Sequence, residues 1–146
     1  MSEVDEFTKK FTPESITSVL KLQRSFFQVS DELMAVKNTI KKEPFAIGTY
    51  LGTALGKGKP FHPSTALIDW LNARTEKYVV VDKKMAWLFL CDRDIFASSI
   101  VKKNVDKGVV LVKNELGEVL GYGEFVRDGM IKNRLDKGDF LRRERH

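Results

Sequence analysis

The stretch KGVVLVKNELGEVLGYGEFV, Lys107 to Val126, decides how the second half of this chain folds. Val109 to Val112 is a β-branched and aliphatic run, Asn114-Glu115-Leu116-Gly117 has turn composition, and a second apolar run follows. That is the pattern of a hairpin with a longer loop. Gly121 and Gly123 lie two apart inside the second strand. Residues two apart share a face, so this pair leaves one face bare while Leu120 and Tyr122 fill the other. A bare face either lets the sheet coil at a barrel corner or offers a shelf to a ligand's backbone, and strand glycines most often answer to geometry. Val126 stands where a dinucleotide fingerprint would place its third glycine, which excludes that motif.

Around the hairpin, Tyr78 to Val81, Met85 to Leu90, Val109 to Val112 and Val119 to Val126 read as short strands at close spacing, broken by one short helix around Asp94 to Ile100. The first half has a different grammar. Thr12-Pro13-Glu14 opens a helix carrying Ile16, Val19 and Leu20. Ser25 to Val29 reads as a strand. Ser30-Asp31-Glu32 opens a second helix with Leu33, Val36 and Ile40 on one face, running until Pro44. Phe45 to Leu55 reads as a strand, and His62-Pro63-Ser64 begins a third helix with Leu67, Trp70 and Leu71 turned inward. A helix-rich half followed by a β-rich half predicts an α+β protein of two small subdomains meeting near residue 76.

Composition narrows the function. The chain has 146 residues, 42% of them apolar, enough for a real core. No apolar run approaches the ~20 residues that cross a bilayer, and the charged start MSEVDEFTKK lacks the apolar stretch of a signal peptide, so a cytoplasmic protein is expected. Cys91 is the only cysteine, and its apolar context MAWLFLC predicts a buried, inert thiol. The net charge is +5, and Val126 to His146 holds seven basic residues against four acidic ones, more than half of the surplus. An anionic partner is the reading this invites.

The catalytic motifs fail one by one. LGTALGKGK has three residues between Gly52 and Gly56 where a phosphate-binding loop has four, and Gly58 follows Lys57 where a serine or threonine is needed. His62 and His146 have no ligand partners at a useful spacing, so no metal site and no cofactor is expected. Asp92-Arg93-Asp94 is explained by helix capping. No nucleophile with its base can be named, and a non-enzyme is the expectation. In MIKNRLDKGDFLRRERH, by contrast, Ile131, Leu135, Phe140 and Leu141 can anchor the segment while Lys132, Arg134, Lys137, Arg142 and Arg143 meet solvent or phosphate. Cations fixed on a packed element lose less entropy on binding than cations on a loose tail. The competing reading of the same run is a solvated charged face.

These residues resemble a known family. KYVVVDKKMAWLFLCDRDIFASSI, the Lys107 to Val126 hairpin and IKNRLDKGDFLRRE resemble a PUA domain, a small β pseudo-barrel of RNA-modifying enzymes and ribosome-assembly factors. Upstream, AIGTYLG and KPFHPSTALIDWL are similar to the N-terminal domain of the Nip-seven-type large-subunit ribosome-biogenesis factors of archaea and eukaryotes. The resemblance covers residues 25 to 144. It implies a small α/β N-terminal domain over residues 1–76 and a PUA RNA-binding pseudo-barrel over residues 77–146, with the glycines letting a strand coil to close the barrel. It implies a non-catalytic factor that binds large-subunit pre-rRNA and meets assembly or RNA-processing proteins through its N-terminal domain, as a monomer, in the cytoplasm or, in a eukaryote, the nucleolus.

Carried over by position, the implied RNA contacts are Lys132, Arg142 and Arg143, with Arg134 beside another matching position. Asp128, Gly129 and Leu135 stand where relatives can carry cations, which implies a patch weaker than theirs or displaced towards Arg127, Arg134 and Lys137. The alternative is an RNA-modification enzyme or its accessory subunit, against which the first 75 residues offer few catalytic groups. A protein-interaction module is compatible with the first reading, because ten basic and eight acidic residues through Thr75 leave that half near balance.

Overall fold

Two serines start the first two helices. The Ser2 hydroxyl accepts from the Asp5 N–H at 3.2 Å to open α1 (Glu3–Thr8), and Ser30 Oγ accepts from the Leu33 N–H at 3.1 Å to open α2 (Asp31–Thr39). Each bond satisfies one of the donors that a helix start leaves without a partner. The computed structural model describes residues 2–42, 44 and 46–139. In it the helix expected from Thr12-Pro13-Glu14 does not form. Thr12 Oγ1 accepts from the Glu14 N–H in a local turn, and Val19 and Leu20 enter strand β1 (Val19–Leu22) instead. β-branched residues favour that extended backbone.

The chain divides into two compact units, Met1–Leu67 and Ile68–His146. In the first, β1, β2 (Ser25–Gln28), β3 (Thr49–Thr53) and β4 (His62–Pro63) form an antiparallel sheet in that order. Leu22, Phe27 and Val29 make one core cluster, with Leu33 and Met34 of α2 packed against it. A second cluster stacks aromatic rings: Phe61 lies 5.5 Å from Phe7 and 5.9 Å from Phe26. The apolar stripe expected along α2 is only half used, because Val36 and Ile40 are exposed and the helix stops at Thr39, before Pro44. Helix α3 (Thr65–Asn72) begins where the Ser64 hydroxyl accepts from the Leu67 N–H. Leu67 and Leu71 are buried, whereas Trp70 is half-buried with the Arg74 guanidinium 4.2 Å from its ring.

The second unit is built on a five-stranded sheet in the order β6 (Ile100–Lys103), β5 (Tyr78–Val81), β7 (Val109–Lys113), β8 (Val119–Phe125), β9 (Ile131–Asp136). β5 and β7 run parallel and the other neighbours antiparallel. Met85 to Leu90, expected as a strand, is helix α4 (Lys83–Leu90). Asp82 caps it, accepting from the Met85 N–H at 2.8 Å, and Met85, Ala86 and Phe89 turn one face into the core with Val79, Val81, Val110, Val112 and Ile131. The helix expected near Asp94 shrinks to a 3-10 turn, Ala97–Ser99. Cys91, expected buried, is exposed at the end of α4.

Ile95 closes the pseudo-barrel. Its N–H donates to the Ile131 carbonyl at 2.8 Å and its carbonyl accepts from the Ile131 N–H at 2.9 Å. Five residues later the same segment enters β6, at the opposite edge of the sheet from β9. The chain therefore bridges the two edges, and the arrangement is an α+β fold with a closed β half. Strand β8 bends to allow this. A Cβ on Gly121 would strike the Leu135 carbonyl, and one on Gly123 would strike Ile131 Cγ2 and the Lys132 carbonyl. The bare face is thus filled by the backbone of β9, and the corner reading holds.

Candidate nucleic-acid interface

The hairpin that carries half of the expected cations turns at Arg127–Met130. The Met130 N–H donates to the Arg127 carbonyl at 2.9 Å, with Asp128 at φ 55° and Gly129 at φ 76°. Two successive positive φ values make a type I′ turn, for which Asp-Gly is a preferred pair. Asp128 and Gly129, which stand where a stronger patch would have cations, therefore serve the hairpin. Arg127 is exposed at its first position.

Lys132 and Arg134 sit on β9, and β9 is firmly held. Asn133, between them, points to the core side: its side-chain N–H₂ donates to the Phe89 carbonyl at 2.9 Å and to Asp136 Oδ2 at 3.2 Å. Its backbone N–H donates to Asp94 Oδ1 at 2.8 Å. Phe89 lies in the last turn of α4, whose carbonyls have no partner within the helix. Asn133 thus ties β9 to the end of α4 and mounts its two neighbours on a rigid base.

The mounting does not leave the cations equally available. Lys132 is exposed directly across from Glu124 in the β8–β9 register, and among the described residues it forms no ion pair. Arg134 lies in the bulge where Tyr122 pairs with Leu135 and Gly123 with Asn133. It donates to Glu124 Oε1 from Nε at 3.2 Å and from Nη2 at 2.9 Å. Lys137, just past β9, donates to Asp69 Oδ1 of α3 at 2.9 Å. Arg142 and Arg143 lie outside the described residues. Of the six expected contacts, then, Arg127 and Lys132 are exposed without an acidic partner among the described residues, and two others are partly neutralised.

Tyr122 is buried beneath this surface, and burial pushes its phenol up to about 12 from the ordinary 10, Arg134 pulling the other way. It is a core residue and no stacking platform. Among the described residues no cluster of three or more His, Cys, Asp and Glu side chains could hold a metal ion, and no helix is long and apolar enough to cross a membrane.

Sequence reasoning missed two features. The role of Asn133 in holding β9 down had no local signal, since Asp94 and Phe89 lie 39 and 44 residues earlier. Lys102 and Lys113 are brought to one aromatic ring, Tyr78, by strand pairings that no local pattern announces.

Residues 77–145 match the family described as UPF0113 PUA domain. A UPF0113 protein of Archaeoglobus fulgidus is 26% identical over 157 residues, covering 87% of this chain and 90% of that protein. A solved structure described as a conserved PUA domain protein from Thermoplasma acidophilum superposes with a TM-score of 0.62 at 18% identity, covering 99% of this chain and 96% of that one. PUA domains are generally RNA-binding.

Proposed function

We propose that this chain is a non-catalytic RNA-binding factor of large-subunit ribosome assembly, acting on pre-rRNA in the cytoplasm as a monomer through its β half. The observation that supports this reading best is the mounting of Lys132 on a strand clamped by Asn133, with Arg127 at the adjoining turn, in a segment similar to a PUA domain. Phosphate contacts made from such a base lose little side-chain entropy beyond that of the cations themselves. The ribosome-assembly role is drawn from the likeness of AIGTYLG and KPFHPSTALIDWL to the Nip-seven-type N-terminal domain. The exposed Val36 of α2 and Ile40 just past its end suit a protein neighbour there. The non-catalytic part of the reading draws on the sequence, which offers no nucleophile paired with a base.

Electrophoretic retardation of ribosomal RNA fragments by the wild type and a Lys132→Glu, Arg134→Glu double variant, at two salt concentrations, tests the site. The variant is expected to lose retardation, and the wild type to lose it with salt at a slope near −0.7 per phosphate contact on single strands. Equal retardation would reject the assignment. Turnover of an RNA base by the purified chain would favour a modification enzyme instead.

A further inference from the structure

Lys102 and Lys113 lie on either side of Val80, one paired with it from β6 and the other from β7. Tyr78 is two residues back on the same strand and so shares their face of the sheet. All three side chains converge: the Lys113 ammonium is 4.3 Å and the Lys102 ammonium 5.7 Å from the centre of the Tyr78 ring. The two ammonium groups are therefore no farther apart than the sum of these distances, about 10 Å, one screening length at 0.1 M salt. Neither forms an ion pair among the described residues. Two like charges held at one ring only by weak, exposed cation–π contacts are easily drawn off it by an anion.

The platform is also pre-set. Asn104, next but one after Lys102, donates its side-chain N–H to the Glu76 carbonyl and accepts from the Tyr78 N–H at 3.3 Å. That bracket ties the end of β6 to the start of β5 and fixes where Tyr78 and Lys102 meet. A phosphate alone would need only the lysines. The ring they share adds a π face, and cations with an aromatic face are the combination by which single strands are held without sequence readout.

We propose that Lys102, Lys113 and Tyr78 form a second RNA contact, the two lysines gripping one phosphate of a single strand and Tyr78 stacking on an adjacent base. It rests on the RNA-binding reading above and lies on strands other than the β8–β9 hairpin.

Fluorescence anisotropy of a labelled oligouridylate of about ten nucleotides tests it, within the range such sites span. Lys102→Ala, Lys113→Ala is expected to weaken binding about tenfold and to lower the salt slope by about 0.7. Tyr78→Leu is expected to weaken it about fivefold or more, Tyr78→Phe to restore it, and an abasic oligomer to be insensitive to Tyr78→Leu. Unchanged binding in the double lysine variant, with loss in Arg127→Ala, Lys132→Ala, overturns this site and leaves the hairpin site standing. No binding by the wild type overturns both. A poly-glutamate peptide that binds as tightly as the oligomer, and loses affinity with the same variants, reassigns the patch to an acidic protein segment and overturns the RNA site.

Discussion

Arg134 and Glu124 face each other across β8 and β9, with two guanidinium N–H groups on the single oxygen Glu124 Oε1. The carboxylate also stands opposite Lys132 in register. Glu124 thus restrains one expected cation and lies beside another, Lys132, that forms no ion pair among the described residues.

Removing that carboxylate should therefore strengthen RNA binding. An exposed pair of this kind stabilises the fold by only about 0–1 kcal/mol, so Glu124→Gln is expected to leave the melting temperature nearly unchanged. Affinity for single-stranded RNA should rise two- to fivefold, with a steeper salt dependence by roughly 0.7 as Arg134 becomes available. Anisotropy titrations over a salt series check this, and Glu124→Gln, Arg134→Ala should lose the gain. A weaker-binding Glu124→Gln would mean that Glu124 orients Arg134 for its contact.

The glycines of β8 carry a stability prediction. Gly121 has φ 150°, and its Cβ position is occupied by the Leu135 carbonyl, which is backbone and cannot swing aside. Gly121→Ala is expected to cost about 3 kcal/mol through strain and overpacking combined. Gly117, at φ 84° in an open turn with nothing near its Cβ position, is the control. Gly117→Ala should cost about 1 kcal/mol, from backbone conformation alone. Urea midpoints of the two variants separate the cases, and similar losses would mean that the approach of β9 matters little.

These contrasts mark what the sequence makes legible. The β7–β8 hairpin is readable because Val109 to Val112 and the apolar residues of Val119 to Phe125 flank the turn composition of Asn114–Gly117, all local signals. Met85 to Leu90 misleads because a continuous apolar run does not declare its period, and the capping role of Asp82 shows only once Met85 is placed three residues on. The cations are legible as a count, but their availability is not: Glu124 lies ten residues before Arg134 and Asp69 sixty-eight before Lys137. The Tyr78 cluster needs the parallel pairing of β5 with β7, which brings Lys113 beside Val80 from more than thirty residues away.

Lys132 and Lys137 should then differ despite equal charge. Lys137 has to exchange its 2.9 Å contact with Asp69 for a phosphate, whereas Lys132 is exposed and has no ion pair among the described residues to give up. Lys132→Ala is expected to weaken RNA binding about threefold or more and to lower the salt slope by about 0.7, and Lys137→Ala to change it by less than half of that. Asp69→Asn should raise the contribution of Lys137 to match. Retardation assays on the three variants decide it, and a Lys137→Ala loss equal to that of Lys132→Ala would show that Asp69 does not hold the lysine back.

Tyr122 gives the alkaline limb of stability a definite sign. Burial raises its phenol to about 12 in the folded chain, against 10 when unfolded. Between these values the unfolded state releases a proton that the folded state retains, so the unfolded state binds fewer protons and stability falls as pH rises. The contribution is intact below pH 10 and is lost progressively up to about pH 12, by at most about 2–3 kcal/mol at 1.36 kcal/mol per unit. The informative quantity is the difference from Tyr122→Phe, which lacks the ionisable group. Denaturant midpoints measured from pH 8 to 11.5 should diverge above pH 10, with the wild type falling faster. Parallel curves would place the Tyr122 hydroxyl in contact with water and out of the buried layer between β7 and β9.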